Sequence, residues 1–144
     1  MKLQNVLIRE AEGFSTNIEK DSLANKNFRK VLYTSPYSQV VLMSIPPKGE
    51  IGKESHTDPA GDQFIRVEKG KGLAIVAGKE FPLEDGSIIV IPAKTEHNVL
   101  NTSTDNESLQ LYTVYSPAQH KAGTVHKTKE DAEKDKGDIP AGSD

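Results

Sequence analysis

The chain contains no cysteine in its 144 residues. That excludes disulfides and thiolate metal sites, and it fits a reducing compartment. No apolar run approaches the length of a membrane-spanning helix. The opening residues carry only the short patch Val6-Leu7-Ile8, interrupted by Arg9 and Glu10. No signal peptide is therefore expected, and a cytoplasmic location is. Neither sign of charge dominates: 18 basic and 21 acidic residues leave a net charge of -3 and are interleaved along the chain. Without a basic stripe or aromatics set among the lysines, neither nucleic acid nor a membrane is expected as a partner.

Apolar residues make up 35% of the sequence, and the shortfall lies mostly in the charged C-terminus. The core is accordingly expected before about residue 117, in a chain of single-domain length. Residues 11–27 read as a loop or one weak helical turn. Strands are predicted over 28–33, 39–45, 63–69, 73–76, 79–82, 87–91, 98–102 and 109–116, each bounded by Gly, Pro, Asp, Asn or Ser. Many short strands with glycine turns and little helical periodicity indicate a sandwich or barrel. Beyond Pro117 the chain is loop-like, and Thr128 and Asp131 can cap a short polar helix. The residues from 137 onward are expected to be disordered.

Two polar signatures stand out within this β-rich stretch. The first runs His56-Thr57-Asp58-Pro59-Ala60-Gly61-Asp62-Gln63 and closes at Gly70; the second holds Gly86, Pro92, His97 and Asn101. Side chains two apart on a strand share a face, so an extended 56–58 would aim His56 and Asp58 at one point. By the same alternation Gln63, Ile65 and Val67 share a face, and Phe64, Arg66 and Glu68 the other. Asp62 should then face away from Gln63.

These signatures resemble the two motifs of the cupin family. His56 and Asp58 fall at its histidine pair, Gln63 at its glutamate and Gly70 at its closing glycine. Gly86, Pro92, His97 and Asn101 match the second motif, with Lys94 where a glycine is usual and solvent its simplest destination. The resemblance implies an all-β jelly roll, the double-stranded β-helix barrel, with a short C-terminal helix. Residues 1–27 form an N-terminal segment, 28–117 the barrel, and 118–144 a C-terminal loop, helix and tail. Stretches 27–33, 111–117 and 123–126 also look like a group of small bacterial cupins often labelled mannose-6-phosphate isomerase-like. In that group the aspartate and glutamine substitutions are usual.

The resemblance further implies a divalent metal (Mn, Fe, Ni, Zn or Co) held by His56, His97, Gln63 and Asp58. Neutral imidazole is the commonest side-chain donor to such ions. Gln63 could instead hydrogen-bond a backbone group, and Asp58 could serve its Asp-Pro turn. His120 and His126 are expected to be solvated, the alternative being that they fold over the barrel mouth. Tyr33, Tyr112 and Tyr115 are expected to pack in the core or rim. A homodimer is implied, with strands 28–45 as edges for pairing.

The function expected is that of a metal-dependent enzyme acting on a small polar, sugar-like or carboxylate substrate, with no catalytic residue assigned. A non-catalytic small-molecule binder and a non-haem iron dioxygenase are the alternatives. The 2-oxoglutarate-dependent dioxygenases are disfavoured, because their carboxylate-binding arginine follows the last histidine, whereas Arg9, Arg29 and Arg66 all precede His97.

Overall fold

The computed structural model describes residues 12–138. Among these residues nine strands follow one short helix and precede another. Helix α1 is Ile18–Ala24, and the strands are β1 Arg29–Thr34, β2 Gln39–Ile45, β3 Asp62–Lys69, β4 Gly72–Val76, β5 Lys79–Leu83, β6 Ile88–Ile91, β7 His97–Asn101, β8 Leu109–Ser116 and β9 Val125–His126; helix α2 is Lys129–Lys134. They form a six-stranded sheet ordered β6-β3-β8-β2-β1-β9 and a three-stranded sheet ordered β5-β4-β7. Adjacent strands are antiparallel. This is the all-β class that the strand pattern pointed to and the jelly roll that the resemblance implied, with the short C-terminal helix in place.

Both sheets contribute to one core. Val41, Met43, Ile65, Val67, Leu109 and Leu111 come from the large sheet and Ala74, Leu83 and Val99 from the small one. Inward residues alternate along β3 as expected, with Gln63, Ile65 and Val67 buried. Leu111 sits at the centre, wholly buried, opposite Met43 on β2 and Val67 on β3. Leu111→Ala should therefore cost about 3 kcal/mol, the transfer of the side chain plus the void it leaves. Urea unfolding checks this, and a loss under about 1 kcal/mol would mean that the site collapses freely.

The motif glycines have backbone reasons to be glycine. Gly70 takes φ +118, and a Cβ there would lie 3.0 Å from the Ser108 carbonyl oxygen. Lys94, where a glycine is usual in the family, adopts φ 66 and is exposed. Asn101 donates to the Ile45 and Glu107 carbonyls and accepts from Ser103 N, so its role is to tie the end of β7 to its neighbours.

Three expectations need correction. Residues 18–24 form a helix, because Asn17 caps it by accepting from Lys20 N and the Gln110 amide donates to the carbonyls of Ser22 and Asn25 near its end. Strands 28–45 are not both edges: β2 is interior, and β9 pairs with β1 at Arg29 and Lys30, leaving the rest of β1 beyond that pairing. Nor is position 138 loose, since the Asp138 carboxylate accepts from Lys121 N at 2.9 Å and is held by His120. The remainder of the expected disordered tail, 139–144, lies outside the described residues, as does the Val6-Leu7-Ile8 patch. Helix α2 begins as expected, with Thr128 accepting from Asp131 N. Among the described residues no helix is long and apolar enough to cross a membrane.

Candidate metal centre

His97 opens β7, where it is only 4% exposed. Opposite it runs an irregular segment joined to β7 by isolated bridges at Glu50 and Glu54. Glu54 and His97 exchange both backbone hydrogen bonds, at 2.9 Å each, so their side chains emerge side by side. Two residues on, His56 takes φ 25 and brings its ring against that of His97, with centroids 5.0 Å apart. One nitrogen of each histidine and one oxygen of Glu54 lie within 4.8 Å of one another.

The polar atoms at this point are poorly served by the protein alone. The Glu54 Oε1 lies 3.4 Å from His56 Nε2 and 3.7 Å from His97 Nε2. Both Glu54 Oε1 and His97 Nε2 are buried without a hydrogen-bond partner among the described residues. The His97 Nδ1 lies 2.9 Å from the Thr95 carbonyl oxygen, an atom that only accepts, so Nδ1 carries the proton. In the neutral ring Nε2 then presents its lone pair to the cluster, the tautomer a metal ligand needs. A lone pair and a carboxylate oxygen converging in a buried place call for a cation between them.

Gln63 completes the set from β3. Its amide nitrogen donates to Thr113 Oγ1 at 3.1 Å, which turns the carbonyl oxygen toward His56 Nε2 at 3.2 Å. The structure thus brings together His56, Gln63 and His97. Asp58 is not with them: it is exposed, in a turn closed by the Thr57–Ala60 bridge. The physical reason is local, because the backbone turns at His56 rather than running extended through 58. Glu54 supplies the carboxylate instead. Asp62 faces away and accepts from Ala93 N.

Electrostatics at the cluster follow from this packing. Burial works to raise the Glu54 pKa, but contact with His56 and His97 and the charge of Arg29 outweigh it and hold the carboxyl far below the usual range. Burial works to lower that of His97, yet the Glu54 contact and the Thr95 carbonyl leave it above the ordinary value. Tyr115, wholly buried with its ring edge to His56, is kept neutral by burial and by the Glu54 charge.

The C-terminal segment covers the site from one side. The buried Gln39 accepts from the backbone of Gln119 and His120 and donates to the His120 carbonyl, pinning the loop after β8. His120 is consequently buried, and His126 is buried where β9 pairs with Arg29 of β1; neither is solvated as expected. His120 joins Tyr115 OH, at 3.3 Å, to Asp138, at 2.8 Å. Burial lowers its pKa despite that carboxylate. A cavity of about 460 Å³ lies beneath this segment and reaches Glu54, with Arg29 and His120 in its wall.

The chain belongs to the cupin family. Its cupin domain, Cupin_2, matches residues 41–115. The sequence is 40% identical to YrkC of Bacillus subtilis over 137 residues, covering 90% of this chain and 72% of that protein. It is 42% identical to L612 of Acanthamoeba polyphaga mimivirus over 115 residues, covering 78% of this chain and 70% of the relative. The fold is similar to the crystal structure of BH2720 from Bacillus halodurans, with a TM-score of 0.81 and 41% identity over 88% of this chain and 98% of that one.

Proposed function

We propose that Glu54, His56 and His97 hold a divalent first-row cation, with the Gln63 amide oxygen as a further donor, and that the protein uses it as an enzyme on a small polar molecule. The observation that carries this is the pair of buried, unpartnered atoms, Glu54 Oε1 and His97 Nε2, facing one another. Nitrogen and oxygen donors without sulfur suit Mn, Fe, Ni, Zn or Co. Such an ion supplies Lewis acidity toward a carbonyl or a site for oxygen activation.

The surrounding residues prepare the place. Thr95 fixes the His97 tautomer, Thr113 fixes the Gln63 amide, and Tyr115 walls the cluster with a neutral ring. The adjoining cavity, about 460 Å³, is of the size that takes a small metabolite.

Protein purified without a histidine tag and passed through gel filtration after loading should retain about one equivalent of metal. Anomalous scattering should place it between residues 54, 56 and 97. Retention of none of the five metals would end the proposal. The combination of two histidines and a carboxylate favours one reaction class in particular, non-haem iron oxygenation. Oxygen uptake by the Fe(II)-loaded protein would select it over redox-neutral chemistry, and metal retention with no turnover would leave a binding protein.

A further inference from the structure

Arg29 is a cation buried in the cavity wall with no salt-bridge partner among the described residues. It is 5% exposed, on the inward face of β1. Its cross-strand partner is His126, and its Nη1 lies 3.2 Å from His126 Nδ1. That nitrogen is the acceptor, because His126 Nε2 sits 2.9 Å from the Asp135 carboxylate and donates to it. The Arg29 Nε is buried and has no hydrogen-bond partner among the described residues.

The acids around the same cavity are already engaged. Asp135 is held by His126, Asp138 by His120 and Lys121 N, and Glu133 lies 4.0 Å from Lys129. Glu54 belongs to the candidate metal cluster. An ion there would bring two positive charges against the one negative charge of Glu54. At the wall shared by Arg29 and Glu54 the cavity would then face positive charge from the metal centre and from Arg29. A guanidinium in that position is poised for a planar two-oxygen anion, which matches its fork of N–H groups better than a neutral hydroxyl does.

We infer that the cavity takes a small carboxylate, with its carboxyl group against Arg29 and its remaining polar atoms toward Glu54, His56 and His97. This deepens the proposed function and rests on it for the second contact, while the Arg29 contact stands by itself.

Calorimetric titration with succinate, inorganic phosphate and glucose tests it, on metal-loaded and on chelator-treated protein. Succinate should bind the wild type more tightly than phosphate or glucose. Arg29→Met should weaken succinate binding about 10- to 100-fold, the usual range for losing a charged hydrogen-bond partner, at unchanged metal content. Arg29→Lys, keeping charge but not the fork, should fall between. Unaltered succinate affinity in Arg29→Met, or a preference for phosphate or glucose, overturns the inference while the metal proposal survives. Protein that retains no metal yet binds succinate through Arg29 separates the two in the opposite sense. Should Arg29→Met fail to fold, wild-type crystals soaked in bromide decide: an anomalous peak against Arg29 supports the site, and none there overturns it.

Discussion

Alanine at Glu54 is expected to weaken metal binding by more than about 100-fold, while alanine at Asp58 leaves it unchanged. Losing a partner that only orients a ligand typically costs 10- to 100-fold in affinity, so losing the single carboxylate donor should exceed that range. Glu54 supplies the only carboxylate oxygen that converges with both imidazoles among the described residues, whereas Asp58 is exposed in a turn. His97→Ala should match Glu54→Ala, because its Nε2 is the lone pair already aimed inward. Competition titration against a metal-binding dye gives the affinities, and circular dichroism confirms that the sheets persist. Metal lost in Asp58→Ala and kept in Glu54→Ala would reverse the assignment.

The strands were legible because they are short, β-branched and fenced by turn residues. The limits expected for 39–45 and 109–116 are those observed, and other strand ends differ by a residue or so. His97 was legible because Gly86 and Pro92 frame it, and Gln63 because the alternation along β3 points it inward. Glu54 was not. Counting back from Gly70 through Gln63 puts the paired ligands at 56 and 58, which would share a face only if the chain were extended through 58. The loop after His56 instead turns back at Thr57–Ala60. The pair therefore slides to 54 and 56, still two apart but read in the other direction. The signal available was the Glu54-x-His56 spacing, which sequence alone could not rank above His56-x-Asp58. Burial of His120 and His126 was illegible for another reason: the first depends on Gln39, some eighty residues earlier, grasping the 119–120 backbone, and the second on pairing with Arg29 of β1.

Acidification from pH 8 to pH 5.5 should abolish most of the stabilisation that metal confers, and the metal-free protein should shift far less. At free metal a thousandfold above Kd, binding only the folded form adds about 4 kcal/mol. Protons compete for the same imidazole lone pairs, and each competing proton removes about 1.4 kcal/mol per pH unit below the ligand's pKa. Because contact with Glu54 raises the His97 pKa above its ordinary 6.5, the loss begins above that pH. Glu54, held far below its ordinary 4.5, stays charged throughout this range and contributes no loss. Without metal the two shifted histidines oppose one another. His97, raised, contributes stability present below pH 6.5 and lost as pH climbs through its folded value. His120, lowered by burial, acts in the other direction, costing stability as pH drops below 6.5, where the unfolded chain takes up its proton first. Thermal melts at both pH values, with and without metal, give the comparison. A metal-induced rise in Tm as large at pH 5.5 as at pH 8 would mean that the cation is not held through these imidazoles.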